Sequence, residues 1–289
     1  MGEYKIDESL AKYSGFKTGG CAKVLFIPKN QDELINFLRK NDSSRITIIG
    51  CGYNLLIRDG GVGGTVVSIK NLNSIKLDED KLTVECGTFN SRLFNFTADE
   101  GISGLEFLGC IPGTVGGACR MNAGCYGHEI KDILIELKAV DFSGNIKTFG
   151  IEECQMEYRK NNLPGNLIFL EAVFEARNKK SSQEIKKVFE EMFDKKSKTQ
   201  PINEKTCGSV FKNLPDIPAW KIIQNLGLQD VDFGGVRFSQ KHANFLVNQN
   251  SKSSKNIEDA IKLVQREAKS KLNIDLELEI EIIGDENEV

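Results

Sequence analysis

The stretch T-C-G-S-V-F-K-N, Thr206 to Asn213, sets a thiol and a hydroxyl on either side of one glycine, with a lysine three residues on. Cys207 as a nucleophile would make a hydrolase or transferase, but it needs a base, and the chain offers only His128 and His242. The Ser209 hydroxyl is the other polar group of this turn. Serines in such turns more commonly cap a backbone amide. Arg159, in M-E-Y-R-K, carries a planar fork that meets a carboxylate through two parallel bonds. In a charged run, however, an arginine is ordinarily a solvated surface residue. Near the C-terminus Glu277, Glu279 and Glu281 alternate with Leu276, Leu278, Ile280 and Ile282. Periodicity puts all three carboxylates on one solvated strand face and singles out none.

Two glycine-rich loops suggest anion binding. I-I-G-C-G-Y-N-L-L follows a strand but fails as a dinucleotide fingerprint, because Asn54 or Leu55 stands where a third glycine belongs. Gly50 and Gly52 still allow backbone N–H groups to converge as a nest for a pyrophosphate, with Asn54 fixing the turn or donating to a phosphate. The second loop, I-P-G-T-V-G-G-A-C-R-M-N-A-G-C-Y-G, carries Gly113, Gly116, Gly117, Gly124 and Gly127. That much glycine is entropically expensive unless backbone closely approaches a ligand or another backbone. The region from Gly101 to Gly127 is expected to hold no regular elements.

The elements that must position these groups follow from pattern. Strands are expected at 24–27, 45–50, 66–69, 81–86, 133–140, 146–149 and 167–174, and helices at 31–39, 183–195, 219–226 and 256–272. Asn30 is placed to cap the first helix. Ile185, Val188, Phe189, Met192 and Phe193 form a core-facing stripe on the second. K-K-S-K-T-Q-P, ending at Pro201, is the best linker, and the alternating ending from Ile274 to Gly284 predicts one continuous strand. The class is α+β, with a larger N-terminal domain to about residue 197.

With 289 residues and 40% hydrophobic content, the chain suits two ordinary globular domains. A net charge of -3 argues against a general nucleic-acid binder. The polar N-terminal stretch lacks a signal peptide's apolar run, and no segment approaches a membrane span, so the expectation is a cytoplasmic protein without membrane contact. Eight cysteines, none in a C-x-x-C pair, predict reduced thiols and neither a metal site nor a disulfide scaffold.

Taken together, the motifs resemble UDP-N-acetylenolpyruvoylglucosamine reductases. They include K-T-G-G, G-C-G-Y-N-L-L, G-L-E-F, I-P-G-T-V-G-G, M-N-A-G-x-Y-G, Y-R, C-G-S-V-F-K-N, K-H-A-N-F-L-V-N and L-E-L-E-I-E-I-I-G, in order across nearly the whole chain. Cys51 and Tyr53 replace the commoner Gly and Ser of the first loop, Cys119 and Arg120 replace apolar residues, and Leu278 replaces a usual Pro.

The resemblance implies a vanillyl-alcohol-oxidase-type (PCMH-type) FAD-binding domain over 1–197, with subdomains of about 1–74 and 75–197. A smaller α+β substrate-binding domain over 198–289 would follow it. It implies non-covalent FAD, NADPH as co-substrate, the enolpyruvyl ether of UDP-N-acetylglucosamine as substrate, and a monomer. The implied catalytic residues are Arg159, Ser209 and Glu279. The implied cofactor residues are Gly50, Cys51, Gly52, Tyr53, Asn54, Leu55, Gly113, Thr114, Gly116, Gly117, Asn122, Ala123 and Gly124. Tyr126, Lys212, Asn213 and His242 match substrate-binding positions. The segment between Arg159 and Ser209 has room for one strand and one helix, which implies the shorter type lacking an added tyrosine loop. Rival readings are the Cys207 hydrolase, a nucleotide-binding module without catalysis, and an FAD oxidoreductase that passes electrons to oxygen.

Overall fold

The computed structural model describes residues 2–40 and 45–286. In chain order the strands are β1 (Glu3–Ser9), β2 (Cys21–Ile27), β3 (Ile46–Ile49), β4 (Leu55–Ile57), β5 (Val62–Ser68), β6 (Ile75–Asp78), β7 (Lys81–Glu85), β8 (Gly124–Cys125), β9 (His128–Glu129), β10 (Leu134–Asp141), β11 (Ile146–Gly150), β12 (Leu167–Glu175), β13 (Val236–Phe238), β14 (Leu246–Asn248) and β15 (Glu281–Ile283). The helices are α1 (Gln31–Lys40), α2 (Asn90–Asp99), α3 (Glu106–Gly109), α4 (Val115–Arg120), α5 (Ile151–Cys154), α6 (Ser182–Thr199), α7 (Ala219–Asn225) and α8 (Lys255–Leu272).

The chain forms two compact units that interleave in sequence. One comprises Met1–Lys5, Leu25–Gly50 and Thr65–Lys195; the other comprises Ile6–Val24, Cys51–Gly64 and Lys196–Val289. Where the sequence suggests a single boundary near 197, the structure therefore also gives 6–24 and 51–64 to the C-terminal unit.

The first unit is built on an antiparallel sheet in the order β11-β10-β12-β7-β6. Its central strand β12, L-I-F-L-E-A-V-F-E, pairs on both sides and is buried along most of its length, as its apolar run requires. In the same unit β3 pairs parallel with β5, and α1 supplies Leu34, Ile35, Phe37 and Leu38 to the core. Asn30 Oδ1 accepts the Glu33 N–H at 3.0 Å, so the expected cap is in place. Phe107, Leu93, Val84, Leu137 and Phe174 pack in that core, each worth about 1.5–3 kcal/mol on burial.

The second unit packs α7 and α8 with β13–β14 and the parallel pair β4–β15. Phe16, Leu56, Phe211, Ile222, Phe238, Ile261, Val264 and Ile280 form its core. Asp59 holds the start of α8 through Ser253 Oγ and the Ser254 N–H at 2.8 Å. Arg58 grips Glu258, one turn into the helix, at 3.0 and 2.9 Å.

Four expectations change. K-K-S-K-T is not a linker but the last turns of α6, which Pro201 stops because its ring cannot continue the helix. The glycine-rich region does hold regular elements, the short helices α3 and α4 and the β8–β9 hairpin. The C-terminal alternation gives a strand only at Glu281–Ile283. Upstream, Lys212 N–H donates to the Glu277 carbonyl and Glu279 N–H to the Val210 carbonyl, an isolated antiparallel bridge rather than a ladder. The α6 stripe also buries only Ile185 fully, while Phe193 is exposed.

Candidate active site

Backbone geometry builds the first loop. Gly52 has φ +66°, and a Cβ there would collide with the Tyr13 carbonyl, so only glycine fits. Three of the loop's carbonyls are taken: Gly52 O accepts from Gly15 and Leu55 N–H, Leu55 O from the Ser14 hydroxyl, and Asn54 O from the Glu281 N–H. Among the described residues, the N–H groups of Cys51, Gly52, Tyr53 and Asn54 have no acceptor. Four successive unpaired amides around a left-handed glycine are what a pyrophosphate would satisfy. Tyr53 keeps its side chain exposed. Asn54 Nδ2 is not spare for a phosphate in the simplest way, because it donates to the Glu279 carbonyl at 3.1 Å.

The second loop divides by function. Gly113 has φ +127° with open space where a side chain would stand, and the N–H groups of Gly113 and Thr114 lack acceptors among the described residues. These can face a ligand. Gly116 and Gly117 lie inside α4 with their amides spent, on the Cys86 carbonyl at 2.8 Å and on Thr114 Oγ1 at 3.3 Å. The glycine at 116 is there for a close backbone crossing: a Cβ would sit 3.0 Å from Cys86. Gly50, at the end of β3, makes the same kind of approach to Thr114, whose Oγ1 would be 2.7 Å from a Cβ. Ala123 is tied by its N–H to the Ala118 carbonyl at 2.9 Å.

Asn122 is fully buried at φ +40°. Its Nδ2 donates to Glu129 Oε2 at 3.0 Å and to the Glu157 carbonyl at 2.9 Å, and its Oδ1 accepts from Lys131 N–H at 3.0 Å. Its side chain thus braces the loop that carries Arg159. That loop is a tight reversal in which Glu157 and Lys160 exchange backbone hydrogen bonds, leaving Tyr158 and Arg159 at the tip. Arg159 has φ +54°, strained for a non-glycine residue, and its Nη2 donates to the Gly124 carbonyl at 3.1 Å. Gly124, Gly127, His128, Lys131, Tyr158 and Arg159 line an open cleft of about 410 Å³. Tyr126 and Gly127, both at positive φ, make the two-residue turn of the β8–β9 hairpin, with the tyrosine ring partly exposed.

In the second unit Cys207 is buried, and burial pushes its thiol up to about 12. The thiol donates to the Gly52 and Leu55 carbonyls at 3.4 and 3.3 Å. It is a packing residue, and the hydrolase reading loses its nucleophile. Ser209 lies beyond Gly208, which has φ +80° and open space where a side chain would be. The extended segment 209–211 lies between Asn244–Phe245 and Leu278–Glu279. Asn244 fixes it by reading both polar groups of Phe211, at 3.0 and 2.7 Å.

The structure separates the three glutamates that alternation cannot. Glu277 and Glu281 are exposed, whereas Glu279 is half-buried between Ile280 and the partly buried Leu278. Lys212 pairs with Glu277 at 3.2 Å. Asn213 Oδ1 accepts the first N–H of α7 at 3.1 Å. His242 stacks edge-on against Phe245 at 4.7 Å, and burial lowers its pKa. What sequence reasoning missed is the support: Asn244, Asn122 as a brace, and the Arg58–Glu258 and Asp59–Ser253 pairs. Asn244 sits within K-H-A-N-F-L-V-N, but nothing in its spacing announces a partner at 211.

A model of an FAD binding domain matches residues 22–150, and a model of the UDP-N-acetylenolpyruvoylglucosamine reductase C-terminal domain matches residues 200–283. A UDP-N-acetylenolpyruvoylglucosamine reductase of Rickettsia akari (strain Hartford) is 40% identical over 98% of this chain and 96% of its own. One of Rickettsia massiliae (strain Mtu5) is 41% identical with the same coverage. The chain belongs to the UDP-N-acetylenolpyruvoylglucosamine reductase family. The crystal structure of UDP-N-acetylenolpyruvylglucosamine reductase from Thermus caldophilus superposes with TM-score 0.84 at 29% identity, covering 98% of this chain and 99% of that one. The fold is accordingly the α+β, PCMH-type FAD-binding architecture, and the protein is an FAD-dependent oxidoreductase. The unpaired amides of Cys51–Asn54 fit the chemistry of that cofactor's pyrophosphate, and so do those of Gly113–Thr114. Between Arg159 and Ser209 the structure holds only β12 and α6 as regular elements. No helix among the described residues is long and apolar enough to cross a membrane.

Proposed function

We propose that this protein uses NADPH to reduce the enolpyruvyl ether of UDP-N-acetylglucosamine to UDP-N-acetylmuramate, a step of peptidoglycan precursor synthesis. Non-covalent FAD, its pyrophosphate held by the amides of Cys51–Asn54, would supply the hydride-transfer chemistry between NADPH and the enol-ether methylene carbon. The adjacent carbon then carries enolate charge shared with the carboxylate, and the protein's own groups must hold that charge and protonate the carbon.

Arg159 is assigned the carboxylate. Its backbone is fixed in a strained turn braced by Asn122, and one guanidinium nitrogen is anchored on Gly124, so the fork is pre-aimed in an open cleft. Ser209 is assigned the proton, given from its hydroxyl to the carbanionic carbon as the methyl-bearing centre of the lactyl ether forms. Glu279 supports this, as an acid that restores the proton or by orienting a donor. Lys212, Asn213, Tyr126 and His242 are assigned to substrate binding, with Asn213 in addition capping α7.

The observation that carries the reading is the half-burial of Glu279 alone among three alternating glutamates, on the segment hydrogen-bonded to the one that bears Ser209. The test is spectroscopic. Purified protein should show a flavin band that NADPH bleaches and that the enolpyruvyl substrate restores without hydrogen peroxide. A colourless protein, a band that NADPH leaves unchanged, or peroxide formed in proportion to NADPH would overturn it.

A further inference from the structure

The loop whose amides face outward and the segment that carries Glu279 are joined by one residue. Asn54 contributes the last of the four unpaired N–H groups. Its carbonyl accepts the Glu281 N–H at 2.9 Å and its Nδ2 donates to the Glu279 carbonyl at 3.1 Å, so it bonds the chain on both sides of Ile280. The pairing continues as the parallel register Leu55 with Glu281, Leu56 with Ile282 and Ile57 with Ile283. On its other side Glu279 is held by one backbone bond, N–H to the Val210 carbonyl at 2.8 Å. Among the described residues, the upstream part of the segment pairs through the single bridge of Leu278 with Phe211.

We propose that Asn54 is a positioning residue that couples occupancy of the cofactor loop to the placement of Glu279. The inference rests on the functional reading above for the role of Glu279, but the coupling itself is a property of this chain. An anion drawing in the amides of Cys51–Asn54 fixes the Asn54 backbone, and the same residue's amide side chain then fixes the Glu279 carbonyl. The Gly52 and Leu55 carbonyls are already tied down by Gly15, Ser14 and Cys207, so the loop meets an anion on its amide side. Linkage makes the effect reciprocal: whatever orders residues 279–281 also favours the cofactor-binding form of the loop. The consequence is that bound flavin tightens a placement of Glu279 that Asn54 already makes.

The experiment is hydrogen exchange on the full chain with and without saturating FAD, read on peptides spanning 277–283. In the unsubstituted protein FAD should slow exchange there by about fivefold or more, the lower end of ordinary coupling energies. Asn54→Asp keeps the shape but removes the donor, and Asn54→Ala removes the side chain; in both the FAD-dependent protection should fall below about twofold. Asn54→Gln, which restores a donor, should recover part of it. In the same variants reoxidation of flavin by the enolpyruvyl substrate should slow by about tenfold relative to its reduction by NADPH, as expected for loss of one part-buried hydrogen bond. Undiminished protection in Asn54→Asp, or no protection in the unsubstituted protein with FAD bound, overturns the proposal. Failure of the substrate to reoxidise flavin in a protein that shows the coupling would instead overturn the functional reading and leave this one standing.

Discussion

Arg159 reaches back to Gly124: its guanidinium Nη2 sits 3.1 Å from that carbonyl while its own backbone holds φ +54°. One nitrogen is committed to that carbonyl and the guanidinium lies over the Tyr158 ring at 4.9 Å, which together fix the plane of the fork beside the cleft that Arg159 lines. Arg159→Lys keeps the charge but loses both the anchor and the bidentate geometry. The expected result is a fall in kcat/KM for the enolpyruvyl substrate of about tenfold to a hundredfold, equivalent to one charge-assisted hydrogen bond of about 1.5–3 kcal/mol. Flavin content and bleaching by NADPH should be retained. Steady-state kinetics beside stopped-flow flavin reduction checks it, and equal losses in both halves would remove Arg159 from the carboxylate.

Arg58 and Glu258 predict how stability depends on pH. The hydrogen bonds from Arg58, with help from Lys262, hold the Glu258 carboxyl below its ordinary 4.5. A depressed carboxylate stabilises the folded state fully above its unfolded pKa, and the contribution is lost as pH falls through the folded value. Glu258→Gln should therefore destabilise by about 1–3 kcal/mol at pH 7, since it removes charge-assisted bonds at a buried position. The penalty should begin to shrink below the ordinary 4.5 and go on shrinking as pH falls through the depressed folded value. Urea denaturation at pH 7 and at pH 4 measures both, and a penalty that grew on acidification would reverse the assignment.

The strand and helix framework was legible in the sequence because burial follows apolar pattern: α1, β12 and α8 bury the very residues that their periodicity nominates. β1 was not legible, because its residues are mostly exposed and E-Y-K-I-D-E-S offers only Tyr4 and Ile6 as apolar residues, both exposed. The interleaved units were hidden for a different reason. Arg58 with Glu258, Asn54 with Glu279 and Asn248 with Phe16 are pairings across 200 or more residues, and no local pattern encodes them. At the site, motif resemblance nominated residues without their divisions of labour. Gly116 and Asn122 proved to serve backbone crossing and bracing, and only solvent exposure distinguishes Glu279 from Glu277 and Glu281.

Within T-C-G-S the thiol and the hydroxyl have opposite fates. Cys207 is buried with its thiol pushed up to about 12, so at neutral pH it is neither ionised nor reachable. Iodoacetamide should leave activity intact while alkylating the exposed Cys21, and Cys207→Ala should keep turnover with reduced stability. Ser209→Ala should lose about a hundredfold to ten-thousandfold in turnover of the enolpyruvyl substrate, the range for loss of a general acid, while NADPH still bleaches the flavin. Rapid-mixing measurements of the two half-reactions separate these cases. Near-normal substrate turnover in Ser209→Ala would mean that another group delivers the proton.

Neighbouring glycines in α4 give the sharpest contrast between packing and ligand approach. At Gly116 a methyl would press on Cys86 at 3.0 Å, against backbone as well as side chain. Gly116→Ala should therefore cost about 1–3 kcal/mol, as overpacking does, whether or not flavin is present. Gly117 meets only Thr114 Oγ1 at 3.6 Å, an ordinary contact, in a helical conformation. Gly117→Ala should stabilise the flavin-free protein by about 0.5–1 kcal/mol, because alanine loses less entropy in a helix. If Gly117 is bare so that flavin can approach, the same substitution weakens FAD binding by about tenfold or more, since a methyl then occupies space that the ligand needs. Thermal melts without FAD and a fluorescence titration with it read the two effects separately. Stabilisation with unchanged FAD affinity would remove Gly117 from the cofactor site and leave Gly113 and Thr114 as the ligand-facing part of the second loop.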